Sequence, residues 1–262
     1  SGHSLIVPPA EAVIVDLARG FRNIHLQDAA CVHVEAGVTV GDLKRFLQPL
    51  GLDVRAVEHL NETATVGGWL ATSSALRSVQ AVEVVLPTGT RARMTNDPLG
   101  ASSEGGLPLE LRAPLLRLLE DRHALLQHRV PRATDRLALG SLRADEGIAW
   151  TQLFCGSVGR VGLITAATLT VQPLARHRGS VVFAASDLET TLRVVPLLMR
   201  QSLTRCTLLD QRQVALAREH SRPWRELFSP RATAALLLQW EAGDEAASQA
   251  ILQSLLEIVQ TN

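Results

Sequence analysis

Three clusters of small residues carry the chemistry that this sequence can be asked about. They are Gly2-His3-Ser4, the run from Thr63 to Gly68 that continues as Trp69 to Ser74, and the run from Gly156 to Thr165. Glycine lets a backbone approach a ligand closely and adopt positive φ, so that successive N–H groups can converge on one anion. A Thr-Val-Gly-Gly turn opening a helix adds orphan donors and the helix dipole, which favour phosphate. Read singly, each cluster is more simply a tight turn. The dinucleotide fingerprint GxGxxG and the phosphate loop GxxxxGK[ST] are both missing from their proper contexts; Gly156, Gly159 and Gly162 have another spacing and precede a strand.

The remaining reactive side chains form no constellation. Cys31, Cys155 and Cys206 lie far apart without a CxxC pair, giving neither a zinc site nor a disulfide framework. Cys155 adjoins the Gly156 run, where it reads either as a neighbour of a bound group or as a small core residue. His25, His33 and His59 are irregularly spaced, with His33 expected on a solvated face. His123 and His128 stand at i, i+5, which does not share a helix face, so no metal site is expected. Asp210, Arg212 and Glu219 read as surface or helix-cap charges, and Arg117, Glu120, Asp121 and Arg122 as a solvated helix face.

The elements that must position these residues follow from periodicity. AVIVDL (12–17) and CVHVEAG (31–37) read as strands, the second alternating Val32 and Val34 against His33 and Glu35. Thr39 caps a helix running to about Leu50, with Gly51 as its stop. Residues 79–86 and the run RARM, joined through 87–90, make a hairpin. Residues 111–128 make an amphipathic helix carrying Leu115, Leu116, Leu119, Leu125 and Leu126; 129–150 read as irregular; and Leu163 to Val171 is a strong strand. A boundary is expected between Pro173 and Gly179, with domains at 1–175 and 176–262. Beyond it come a strand (180–185), helix (187–202), strand (204–209), helix (211–219), strand (233–240) and helix (245–260), compatible with a ferredoxin-like α+β module whose sheet is covered by helices on one face.

Bulk properties exclude much. The 262 residues (28.3 kDa) suffice for one large domain or two small ones, and 46% hydrophobic with 20% charged residues is ordinary for a globular chain. Lys+Arg and Asp+Glu are both 26, so the net charge is zero and the electrostatic case for nucleic-acid binding falls away. No apolar run reaches the roughly 18–20 residues that cross a bilayer, and SGHSLIVPPAEA lacks the features of a signal peptide.

The order of the motifs is more specific than any one of them. VHVEAGVTVGDLKRFLQPLGL (32–52), TATVGGWLAT (63–72), VEVVLPTGT (82–90) and LFCGSVGRVGLITAATLTVQPL (153–174) together resemble the PCMH-type FAD-binding domain of the vanillyl-alcohol oxidase family. LLRLLEDRHALLQHRVPRATDRLAL (115–139) before the last of these looks like the D-lactate dehydrogenase and glycolate oxidase branch. The resemblance implies an α+β fold: a PCMH-type FAD-binding domain followed by a partial ferredoxin-like cap domain of the FAD-linked oxidase type. It implies FAD, rather than a nicotinamide fold. Gly2, His3 and Ser4 match the end of the first pyrophosphate loop. Thr65, Val66, Gly67 and Gly68 match the second, with Ala71, Thr72 and Ser73 continuing around the flavin. Gly156, Ser157, Gly159, Gly162, Leu163 and Ile164 match the segment along the isoalloxazine and ribityl groups. Relatives with a Gly-His-Ser loop include some that attach FAD covalently through that histidine, whereas the 2-hydroxy-acid branch mostly holds it non-covalently.

The sequence also departs from that pattern. The βαβ subdomain that the pattern places before Gly2 is not among these 262 residues, as expected of a truncated or incomplete chain; Ser73 to Arg77 runs almost directly into the next strand, no Tyr is present, and Val158 replaces an acid. The family's substrate and metal histidines lie in its C-terminal part, so the catalytic base is expected outside this chain and no residue is named catalytic. The expected activity is oxidation of a small 2-hydroxy acid, D-lactate or glycolate in type, by hydride transfer to flavin N5 with electrons passing to an acceptor such as a quinone or cytochrome. The expected setting is cytoplasmic, or peripheral to the inner membrane. Two alternatives stay open: a flavin-binding subunit of a multisubunit oxidase, and a degenerate interaction protein that binds no flavin.

Overall fold

A computed structural model of the chain describes residues 11, 13–54, 61–73, 78–97, 112–117, 143–144 and 147–261. It divides into two compact units, Ser1–Leu174 and Ala175–Asn262.

The first unit is built on a seven-stranded antiparallel sheet of order β1-β2-β8-β4-β5-β7-β6. Its strands are β1 (Ile24–Leu26), β2 (Cys31–Glu35), β4 (Val79–Val85), β5 (Arg91–Asp97), β6 (Arg143–Ala144), β7 (Gly147–Ala149) and β8 (Leu163–Thr170). Strand β2 alternates as its sequence predicts: Val32 and Val34 are fully buried, while Cys31, His33 and Glu35 are half-buried on the other face. Against the buried face pack α1 (Val40–Leu47), through Val40, Leu43 and Leu47, and α2 (Val66–Thr72), through Val66, Trp69 and Leu70. Thr39 caps α1, its hydroxyl accepting from the Asp42 N–H at 3.0 Å and donating to the Asp42 carboxylate at 2.8 Å. A 3-10 turn (Gln48–Leu50) prolongs α1 to Gly51. The two-residue strands β3 (Leu52–Asp53) and β9 (Gln172–Pro173) pair separately.

Several expectations are corrected here. Of the apolar run 12–17, the described residues 13–17 form no strand: Val13, Ile14 and Val15 are exposed and irregular, and Leu17–Arg19 is a 3-10 turn. An extended apolar run becomes a strand only when another edge takes up its backbone groups, and no described strand does so. The 129–150 region is not wholly irregular, since β6 and β7 extend the sheet from β5 through Asn96 opposite Ala149. Strands of two or three residues leave no periodicity to read. Of the helix expected over 111–128, residues 112–117 are helical and the rest lies outside the described residues.

The second unit carries a three-stranded antiparallel sheet of order β10-β12-β11, formed by β10 (His177–Ala185), β11 (Leu203–Leu209) and β12 (Ala234–Ala242). Inserting β12 between the parallel β10 and β11 is the split βαβ arrangement of a ferredoxin-like module. The expected one-sided cover is wrong. Leu236, Leu238 and Trp240 face α4 (Leu188–Leu198) and α7 (Glu245–Thr261). Ala235, on the opposite face, packs with Val214 of α5 (Gln211–His220), and Trp224 of α6 (Arg222–Leu227) joins that cluster. The short α6 has too few residues to display a helical period, so its pattern did not announce it. One further helical turn, α3 (Thr151–Phe154), belongs to the first unit.

Candidate flavin-binding site

The second and third glycine clusters, far apart in sequence, meet in space. The Gly156 N–H donates to the Leu70 carbonyl at 2.9 Å and the Val158 N–H to the Ala71 carbonyl at 2.8 Å, docking the loop onto the end of α2. The loop enters from α3, whose first residue is anchored by a half-buried polar contact: Thr151 Oγ1 donates to Asn96 Oδ1 at 2.7 Å, while Asn96 Nδ2 donates to the Val79 carbonyl at 2.8 Å. Sequence reasoning missed Asn96 and Thr151. The available signal was a Thr-Gln pair interrupting the apolar stretch before Leu153.

Backbone conformation singles out the same loop. Gly156 (φ 75°), Val158 (φ 54°) and Gly159 (φ 76°) all lie in the left-handed region. For valine, which is β-branched, this is a strained position. Between them Ser157 is 2% exposed, and its hydroxyl has no hydrogen-bond partner within the protein. A buried, unpartnered hydroxyl is costly unless something arrives to bond it. Gly162, the next small residue, lies where an added Cβ would stand 3.0 Å from the Val85 carbonyl oxygen. Ile164 is buried in β8, whereas its neighbour Leu163 is exposed.

At the start of α2 the donors expected to face a phosphate are already engaged. Val66 N–H donates to the Val38 carbonyl at 2.8 Å, Gly67 N–H to the Ala36 carbonyl at 2.9 Å, and Gly68 N–H to the Thr65 hydroxyl at 3.3 Å. What Gly67 supplies is room: a Cβ there would lie 2.7 Å from the Ala36 Cβ. Gly68, Ala71, Thr72 and Ser73 remain partly exposed beside the docked loop. The Thr72 hydroxyl turns inward, donating to the Gly68 carbonyl at 2.8 Å. Gly2, His3 and Ser4 lie outside the described residues.

Cys155 belongs to the core beneath the loop, and burial pushes its thiol up to about 12, so it carries no thiolate at neutral pH. His33, expected to be solvated, is half-buried and stacked on His25 with ring centroids 4.7 Å apart; burial holds its pKa below the usual value. His59, His123 and His128 lie outside the described residues. Among the described residues no group of three His, Cys, Asp or Glu side chains is placed to hold a metal ion. Asp210 caps α5 in a capping box with Gln213, and Glu219 is exposed.

A glycine loop with left-handed backbone thus docks on a second glycine turn and buries an unpartnered hydroxyl. Residues 1–95 match the family model described as FAD binding domain, which indicates FAD as the cofactor. Among curated proteins the chain is similar to D-2-hydroxyglutarate dehydrogenase of Pantoea ananatis (strain AJ13355), at 26% identity over 238 residues, covering 80% of this chain and 22% of that protein. Solved structures of alkyldihydroxyacetonephosphate synthase in two crystal forms share the fold, with a TM-score of 0.57 at 15% identity. They are matched over 93% of this chain but only 41% and 40% of theirs. No helix among the described residues is long and apolar enough to cross a membrane.

Proposed function

We propose that this chain is the FAD-binding part of an oxidoreductase that oxidises a small 2-hydroxy acid. The observation that carries the flavin assignment is the loop Gly156–Gly162, which brings Ser157 and the end of α2 together. The residues that would hold FAD are Gly2, His3 and Ser4; Thr65, Val66, Gly67, Gly68, Ala71, Thr72 and Ser73; and Gly156, Ser157, Gly159, Gly162, Leu163 and Ile164. Because Val66, Gly67 and Gly68 spend their N–H groups internally, that turn acts by shape, holding α2 hard against the end of β2. Ser157 supplies the hydrogen bond, and the left-handed backbone at Gly156, Val158 and Gly159 sets its direction. FAD, when bound, supplies a hydride acceptor at N5. The domain assignment follows: residues 1–175 are the PCMH-type domain, and 176–262 part of the FAD-linked oxidase cap.

The substrate class rests on the similarity to D-2-hydroxyglutarate dehydrogenase, and the acceptor on the chemistry of reoxidation. The test is reconstitution followed by turnover. Protein incubated with FAD and freed of excess should absorb near 450 nm, as flavins do, and should reduce a dye with D-2-hydroxyglutarate, D-lactate or glycolate. Bound flavin without turnover supports the alternative reading, a flavin-binding subunit of a multisubunit oxidase. A colourless protein that takes up no FAD overturns both. Flavin that stays with the denatured pellet would show covalent attachment, for which His3 is the candidate residue.

A further inference from the structure

The second unit holds an anomaly that the flavin reading does not use. Arg218, on α5, has two guanidinium nitrogens, Nε and Nη2, that are buried with no hydrogen-bond partner within the protein. Arginine stays charged at any physiological pH, and a buried N–H of a cation left unpaired is among the costlier defects a fold can carry. These two nitrogens form the side-on edge of the guanidinium, the edge whose parallel N–H bonds match the two oxygens of a carboxylate or phosphate.

The sheet face that α5 covers carries a second orphan of opposite polarity. Val214, one helical turn before Arg218, packs on Ala235 together with Leu209 and Val182, so this face of α5 lies on the sheet. Two steps along that sheet face from Leu237, Gln239 stands opposite Ser180 and Arg205. Its Oε1 is likewise buried without a partner. Arg205 Nε is turned away, donating to Thr207 Oγ1 at 2.9 Å. Behind Arg218, Arg225 reaches across to bond the carbonyls of Arg218 (2.9 Å) and Glu219 (3.1 Å), pinning α5 in place. Two donors on α5 and one acceptor on the sheet face it packs against thus lie unpaired.

We infer that the layer between α5 and the β10-β12-β11 sheet is a binding site for a small two-oxygen anion, a carboxylate or a phosphate group, gripped side-on by Arg218, with Gln239 accepting from a hydroxyl or protonated oxygen of the same ligand. The site is independent of the flavin assignment.

The test uses the whole chain, with and without FAD, in thermal melts at constant ionic strength set by KCl. Inorganic phosphate and malonate are titrated separately. The expected result is a saturable rise in Tm with one of them, which also tells the two sources apart. Arg218→Met should abolish that rise without lowering the Tm in KCl alone, and Arg218→Lys, which keeps the charge but loses the two-pronged edge, should weaken it about tenfold. Identical responses from wild type and both variants overturn the inference. So does the absence of any response to either anion, or an Arg218→Met variant that is unstable in KCl, because that guanidinium would then have an internal partner. Flavin absorbance is read in the same samples: its loss refutes the flavin reading and leaves the anion site standing.

Discussion

Replacing Ser157 by alanine should move cofactor affinity and apoprotein stability in opposite directions. The side chain is 2% exposed and its hydroxyl is unpartnered within the protein. Leaving a buried hydroxyl unsatisfied costs about 1–3 kcal/mol, and alanine removes the defect without a sizeable cavity. The apoprotein should therefore gain up to about 1 kcal/mol once lost oxygen contacts are counted, or some 2–4 °C in Tm for a chain of this size. With FAD present the same change deletes one hydrogen bond, about 0.5–1.5 kcal/mol, so the dissociation constant should rise roughly 2- to 13-fold. Melting of apoprotein and fluorescence titration with FAD measure the two arms. An apoprotein destabilised by more than about 1 kcal/mol would show that Ser157 is bonded internally, and unchanged FAD affinity would show that its hydroxyl does not face the cofactor. Either result refutes the reasoning.

Two further substitutions at the site and two titrations elsewhere in the fold have expected outcomes of their own. Val158→Gly removes a β-branched side chain from φ 54°, relieving about 1–2 kcal/mol of left-handed strain against about 0.5–1 kcal/mol of added chain entropy, so Tm should rise slightly or hold, whereas an ordinary loop valine would lose stability. Gly67→Ala places a Cβ 2.7 Å from that of Ala36 and should cost about 1–3 kcal/mol in urea unfolding even without FAD, because its role is packing. The lowered pKa of His33 means that the unfolded chain takes up a proton at His33 before the folded one does. Stability is then full above the unfolded value near 6.5 and is lost as the pH falls from there towards the folded value; His33→Gln should flatten the fall in Tm between pH 7 and 5. The lowered pKa of Asp42, held down chiefly by the Thr39 hydroxyl, acts in a separate window, its contribution lost only as the pH falls below the unfolded value near 3.8.

Local codes carried their own elements. Thr39 and Gly51 bracketed α1 because a side-chain cap and a left-handed stop act within a few residues, and Val32 and Val34 marked the inner face of β2 because a strand alternates wherever one side is buried. The run Val13 to Val15 misled, since β-branched residues supply propensity but not a pairing edge.

For the flavin site, the sequence by itself determined the small residues, their order and their likeness to a PCMH-type domain. It could not determine how their backbone groups are used. Tertiary structure decided that Val66 and Gly67 bond to the turn after β2, that Val158 takes a conformation its side chain resists, and that Ser157 is buried unpaired. It also brought Leu70 and Ala71 against Gly156 and Val158, because β8 inserts between β2 and β4 in the sheet. The reason is physical: glycine spacing states where a backbone is able to bend or be approached, whereas hydrogen-bond partners across such distances in the chain exist only once the strands have chosen their neighbours.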